Sequence, residues 1–259
     1  AEHLASRDWD VIAGVRNQQD ADAVTSANPR RISAVVLDVT SADHLAQLET
    51  TLPAELDAVI NNAGIVVSGP METVTTDDWR RQLDVNVTGQ LAVTRAVLPR
   101  LRTSKGRIVF ISSVNGQLSM PMVGAYAASK FALEAAADAM RMELRPWGIS
   151  VVVVEPAQTD TDLWRKADDM VTEVEAALTP EHRTLYASHI RGFKKTIPMS
   201  RRLAVSTAKV SSVVEQALTT KRPRARYVVG AGPKLQVALM TNLPTRVRDT
   251  LLRKVSGQP

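Results

Sequence analysis

Short apolar, β-branched runs alternate along this chain with longer stretches in which leucine, valine and alanine recur every three or four positions. The short runs fall at Val11–Val15, 33–37, 58–60, Arg107–Ile111, 149–154 and Arg226–Val229. They are too brief for helices and apolar enough to be strands covered on both faces. The longer stretches predict helices. Residues 41–52 place Leu45, Leu48 and Leu52 at helical spacing. Residues 76–98 open with Thr75, Thr76, Asp77 and Asp78, which suit an N-terminal cap. Residues 125–144 are rich in alanine and stop near Pro146 and Gly148. Strands alternating with helices predict an α/β fold: a Rossmann-like, doubly wound parallel sheet forming a single domain over 1–259. Residues 231–259 read as a helical carboxyl-terminal extension.

The amino end breaks this pattern. Residues 1–6 read as the last turns of a helix, and Arg7, Asp8, Trp9 and Asp10 lead straight into a strand. A doubly wound domain starts with a strand, a glycine-rich turn and then that helix. No G-x-x-x-G-x-G occurs in the chain. The missing strand belongs at the middle of the sheet, where its absence leaves backbone amides unpaired at about 1–3 kcal/mol each. The expectation is that the working protein carries residues upstream of Ala1, including the turn that holds a pyrophosphate at a helix N-terminus.

Composition narrows the chemistry. The 259 residues are 44% apolar and contain no cysteine. Thiol nucleophiles, disulfides and zinc–thiolate sites are therefore excluded. The four histidines, His3, His44, His182 and His189, are scattered, so no metal site is expected. No apolar run approaches the roughly 20 residues that span a bilayer, no signal peptide opens the chain, and a cytoplasmic location is expected. The net charge is +5, and from Arg191 onward only Glu215 and Asp249 oppose many lysines and arginines. The plain reading is a solvated basic face; contact with an acidic membrane surface is the alternative use. Aromatic residues make up 4% of the chain, too few for a single-strand stacking platform, and no nucleic-acid partner is expected.

One constellation carries chemistry. Tyr126 and Lys130 sit four apart in a predicted helix and share a face. A phenol with its ordinary pKa of about 10 is a poor acid/base near neutrality. A nearby ammonium favours the phenolate and lowers that pKa, and such a tyrosine exchanges a proton with an alcohol or carbonyl oxygen. By itself the spacing fits a packed tyrosine beside a surface lysine equally well. Ser113 follows the strand Arg107–Ile111, and in open α/β sheets ligands lie beyond the carboxyl ends of strands. Asn61, Asn62, Ala63 and Gly64 follow another predicted strand, where small residues let backbone approach a flat ligand. Asn86 lies inside a predicted helix, a poor choice by propensity that hints at a task. Pro156 and Thr161 follow a further strand.

Taken in order, these residues make the chain resemble the short-chain dehydrogenase/reductase family. Asn61-Asn62-Ala63-Gly64 is similar to its N-N-A-G, Ile111-Ser112-Ser113 to its I-S-S, and Tyr126-Ala127-Ala128-Ser129-Lys130 to its Y-x-x-S-K. The resemblance implies Tyr126 as general acid/base and Lys130 as the group that lowers its pKa and bonds the nicotinamide ribose. It implies Ser113 as the residue orienting the substrate oxygen, and Asn86 as support for a proton-relaying water. It also implies Asp38 and Val39 near the adenine, Asn62, Ala63 and Gly64 on the adenosine side, and Pro156, Thr159 and Thr161 near the nicotinamide. Ala157 stands where the family has glycine. The family's mobile substrate loop corresponds to residues 162–200, expected here as a lid. The long helices resemble those that pair subunits, which implies a homodimer or homotetramer. Arg226 to Gly230 and Leu243 to Arg246 resemble the branch holding retinol and 17β-hydroxysteroid dehydrogenase-like proteins.

Val15 ends a strand where an acid would bond the ribose 2′-hydroxyl of NAD, and Arg16 follows it. A guanidinium suits a 2′-phosphate, so NADP(H) is expected over NAD(H). The substrate wall is expected to gather Ser113, Val114, Gln117, Leu118, Met120 and Val123, with Ile65, Val66 and Val67 opposite and Leu163 and Trp164 in the cover. These are mostly apolar, so an apolar alcohol or ketone of steroid, retinoid or lipid type is expected. The alternative is a non-catalytic relative that senses a nucleotide or binds a partner, favoured by the lost amino end and Ala157 and opposed by the intact Ser113, Tyr126 and Lys130.

Overall fold

The computed structural model describes residues 1–161 and 167–259. Six parallel strands form: β1 (Val11–Val15), β2 (Ile32–Val36), β3 (Ala58–Asn61), β4 (Arg107–Ile111), β5 (Ser150–Pro156) and β6 (Arg226–Val229). Three are as the pattern predicts at both ends. β2 begins one residue early, β3 gains Asn61, and β5 runs on to Pro156 because β6 pairs with it to its end, Pro156 opposite Val229.

The strands make two sheets, not one. β1 pairs only with β2, and β3, β4, β5 and β6 form a separate four-stranded sheet in that order. Among the described residues no strand fills the gap between β1 and β3. Side chains span it on one face: Leu4, Val109, Val154, Val214, Leu218 and Val229 form a buried cluster that also touches Trp9, Val11, Ala58 and Ile60.

Period-two alternation sorts β4 between two layers. Ile108 and Phe110 face Val97, Leu101, Leu133 and Ala137, while Val109 faces Val214 and Leu218. The first layer comes from α5 (Gln90–Ser104) and α6 (Gly124–Glu143), the second from α10 (Thr207–Thr219). The helix predicted at 76–98 is three pieces along one path: α4 (Thr76–Leu83), a π-helical turn at Asp84–Gly89, and α5, which continues to Ser104 despite Pro99. Gly89 permits a close approach there, since a Cβ at this position would lie 2.6 Å from a methyl of Val39.

The remaining helices are α1 (Glu2–Ala5), α2 (Gln18–Ala27), α3 (Ala42–Thr51), α7 (Ala167–Ala177), α8 (Pro180–Leu185), α9 (Ala187–Arg202), α11 (Ala231–Met240) and α12 (Thr245–Val255). The described part of the expected lid is thus helical, with its own core of Met122, Ala167, Val171, Leu178, Ile190 and Ile197. No helix among the described residues is long and apolar enough to cross a membrane.

Candidate active site

Ser113, Tyr126 and Lys130 come together at the carboxyl end of β4. Ser112 extends the ladder by donating its N–H to Val154 O at 2.8 Å. Ser113 then caps the single turn Val114–Gly116, its Oγ accepting from the N–H of Asn115 at 3.1 Å. Tyr126 and Lys130 occupy successive turns near the start of α6, with Lys130 Nζ 5.7 Å from the phenol ring centre. The Lys130 ammonium donates to Ile111 O at 2.8 Å, so the strand that carries Ser113 also anchors the lysine.

The electrostatics differ from the expectation that Lys130 lowers the Tyr126 pKa. Burial pushes the phenol above its ordinary value, and the Ser113 hydroxyl bonded to it pulls the other way. Lys130 is itself buried, and burial brings it down to about 8 against the opposing attraction of Glu134. A lysine in that range is charged at neutral pH yet gives up its proton readily, which suits a relay.

Asn86 lies fully buried in the π-turn. Its Oδ1 accepts from Ile65 N at 2.8 Å, and its Nδ2 donates to Ile65 O at 3.0 Å and Ser129 Oγ at 3.1 Å. Two glutamines that sequence reasoning missed repeat this arrangement. Gln82 Oε1 accepts from Val67 N at 2.7 Å, and its Nε2 donates to Ile65 O at 3.0 Å and Ser129 Oγ at 3.4 Å. Gln90 Nε2 donates to Ala63 O at 2.6 Å. Ser129 Oγ donates in turn to Tyr126 O at 2.7 Å. The signal was present as amides at 82, 86 and 90, one helical face apart from the predicted core.

A second missed cluster lies behind the serine loop. Arg226 Nε donates to Glu134 Oε2 at 3.0 Å and its Nη2 to Asp138 Oδ2 at 2.7 Å, while Nε lies 3.3 Å from Glu155 Oε1. Three carboxylates thus share one guanidinium. Glu155 is fully buried, and desolvation, reinforced by Glu134, raises it to about 7. Gln117 Nε2 donates to Glu155 Oε2, which turns that amide toward the protein interior and away from the expected substrate wall. Leu118 and Val123 are likewise buried, and so is Val67 opposite. Val114, Met120, Ile65 and Val66 remain half-buried. Leu163 and Trp164 lie outside the described residues.

The cofactor candidates follow the carboxyl ends of their strands. Arg16 is exposed just past β1. Asp38 accepts from Thr40 Oγ1 at 2.7 Å and Thr40 N at 2.9 Å, and these bonds hold its carboxyl below the usual range, with Arg16 adding a smaller pull. Val39 leans on Gly89, and Asn62, Ala63 and Gly64 leave the end of β3 with Asn62 and Gly64 exposed. Pro156 ends β5; beyond it the Thr159 and Thr161 hydroxyls turn back to their own loop, onto Ala157 O at 3.0 Å and Thr159 O at 3.4 Å. A nicotinamide dinucleotide fits this set at its two ends: Arg16 and Asp38 offer charge and hydrogen bonds for an adenosine, with the open backbone at Gly64 on that side, and Lys130 and Tyr126 suit the nicotinamide side. Between them, the described residues contain no glycine-rich turn for the pyrophosphate.

Residues 1–172 match the family model for short chain dehydrogenase. Retinol dehydrogenase 5 of Mus musculus is 31% identical over 268 residues, covering 99% of this chain and 84% of its own length. NADPH-dependent 3-dehydrocapnine reductase of Ornithobacterium rhinotracheale is 29% identical over 254 residues, covering 94% of this chain and 87% of its own. Among solved structures, a short-chain dehydrogenase from Streptomyces avermitilis superposes with a TM-score of 0.75 at 27% identity, covering 99% of this chain and 92% of that one. A short chain dehydrogenase from Burkholderia cenocepacia in complex with NADP shares the fold at a TM-score of 0.72 and 21% identity, over 98% of this chain and 91% of that one. With the serine, tyrosine and lysine assembled on this sheet, the chain belongs to the short-chain dehydrogenase/reductase family, on its retinol dehydrogenase-like branch, and is an oxidoreductase of CH–OH groups served by a nicotinamide nucleotide.

Proposed function

We propose that this protein interconverts an apolar alcohol and its carbonyl compound, of steroid, retinoid or lipid type, with NADP(H). The observation that carries the chemistry is the Ser113–Tyr126–Lys130 arrangement, in which one strand end holds both the serine and the lysine. When bound, the reduced nicotinamide supplies a hydride to the carbonyl carbon. Ser113 orients the carbonyl oxygen beside the phenol, and Tyr126 gives that oxygen its proton. The ammonium of Lys130, with its pKa near 8, stabilises the phenolate left behind and carries the proton back. In the oxidative direction each proton runs the other way.

Two observations support the finer reading. The lid packs apolar side chains, Met122, Val171, Ile190 and Ile197, around the loop that follows Ser113, which suits an apolar substrate. Arg16 stands exposed where a 2′-phosphate would meet a guanidinium, and one relative is named as NADPH-dependent. Exposed Phe131 and Met142 on the outer face of α6 support a homo-oligomer through that helix.

Ala157, where the family has glycine, favours a second reading, a nucleotide-sensing or partner-binding protein without turnover. Tyr126→Phe decides between them. With a panel of apolar alcohols and ketones and both cofactors, turnover is expected to fall about 10²–10⁴-fold in the variant, the usual share of one acid/base group. Equal activity in parent and variant, or none in either on any substrate, supports the binder.

A further inference from the structure

After β3 the chain leaves the sheet, and residues 62–67 belong to no ladder. Their backbone N–H and C=O groups still need partners. One helical face supplies them. Side chains four apart on a helix are separated by about 6 Å along the axis, and alternate residues of an extended chain by about 6.6 Å, so amides at 82, 86 and 90 register on residues 67, 65 and 63. Gln82 takes Val67 N and Ile65 O, Asn86 takes both backbone groups of Ile65, and Gln90 takes Ala63 O. All three amides are essentially fully buried. Side-chain amides here replace a neighbouring strand.

The ladder touches two functional regions, one at each end. Ala63 lies in the segment assigned to the cofactor. Val67 lies in the wall assigned to the substrate. Gln82 and Asn86 also meet on Ser129 Oγ, whose proton goes to Tyr126 O. A continuous chain of hydrogen bonds therefore runs from the substrate-side wall through Gln82 and Ser129 to the turn of α6 that carries the acid/base. Gln90 has no part in that chain.

We propose that Gln90 and Gln82 are positioning residues with separate tasks: Gln90 sets the cofactor-side loop through Ala63, and Gln82 sets the substrate-side wall against the Tyr126 turn through Ser129. This rests on the oxidoreductase reading for the meaning of the two ends, but not for the existence of the ladder. Neither glutamine touches substrate or cofactor. A shape-conserving apolar replacement keeps the packing and removes the hydrogen bonds, so the two tasks separate in different measurements.

The test uses Gln82→Met, Gln90→Met and Ser129→Ala in the full chain. Amide hydrogen exchange without cofactor reads the ladder directly: Gln82→Met is expected to speed exchange at Val67 at least tenfold. NADPH titration and single-turnover reduction at saturating cofactor read the consequences. Gln90→Met is expected to weaken NADPH binding about tenfold and leave the saturated rate within threefold. Gln82→Met is expected to leave binding within threefold and slow the saturated rate about tenfold. Ser129→Ala is expected to slow that rate similarly, and combined with Gln82→Met to add little; it also stands in if Gln82→Met fails to fold. Unchanged exchange at Val67, or parallel changes in binding and rate in both glutamine variants, overturns the proposal. Faster exchange with no turnover in the parent on any alcohol or ketone leaves the ladder standing and removes the functional reading instead, and with it the separate tasks.

Discussion

The two-stranded and four-stranded sheets are made from similar short apolar runs, yet they end in different conditions. In β4 the three middle residues, Ile108, Val109 and Phe110, are fully buried, and from Val151 to its end β5 has no exposed position. Both strands have a hydrogen-bonded neighbour on each side. In β1 no residue is buried and Gly14 is exposed, and its only neighbour is β2. Among the described residues β1 is paired on one side and β4 and β5 on both, and a strand with one ladder has fewer of its backbone groups shielded. The chemistry sits on the supported half, with Ser113 and the Ile111 anchor of Lys130 at the end of β4. Arg16 and Asp38, the candidates for reading the adenosine end, sit on the other. Rigid acid/base geometry and nucleotide recognition are therefore set by parts of the fold with unequal support.

The largest expected effect of this inequality is in amide exchange. Val109, Val152 and Val153 should exchange at least about 10³-fold more slowly than Ile12 to Val15, because edge strands open locally far below the global unfolding energy. Equal protection in the two sheets breaks the comparison.

Next in size is a pH effect confined to the four-stranded half. Glu155 has a folded pKa of about 7 against an ordinary 4.5, so the folded chain keeps a proton that the unfolded chain loses. Its contribution is fully present below about pH 4.5 and is lost as pH rises to about 7, on the order of 1–3 kcal/mol in all. Urea unfolding between these limits should show stability falling with pH, and Glu155→Gln should flatten that slope. A slope of the opposite sign in the parent, or one unchanged in the variant, removes Glu155 as its source.

The smallest effect belongs to the exposed half. Arg16→Asp should raise the KM for NADPH about tenfold, the scale of one charge-assisted contact to phosphate, with little change for NADH. Equal changes with both cofactors would show that Arg16 does not read the 2′-phosphate.

Much of this was legible from the residues in order. The strands and helices and the meeting of Ser113, Tyr126 and Lys130 follow from periodicity, turn residues and motif spacing, which act over a few positions. Pairing between distant groups was not legible in that way. Gln117 belongs to Glu155, thirty-eight positions away, and not to the substrate wall. The Asn86 amide is bonded to Ile65 and Ser129, twenty-one and forty-three positions away. The direction of the Tyr126 and Lys130 shifts depended on burial, which outweighed the Ser113 hydroxyl bonded to the tyrosine and the Glu134 charge near the lysine.

By itself, the sequence determined the element order and the α/β class, and its resemblance to the family pointed to Tyr126 and Lys130, because strand and helix periods and motif spacing are local properties. Only the tertiary structure decided which buried amides satisfy the unladdered segment 62–67, which carboxylates share Arg226, and how far solvent is excluded from Tyr126 and Lys130. Hydrogen-bond partnership and desolvation depend on what lies across space from a group, and no pattern along the chain encodes that distance.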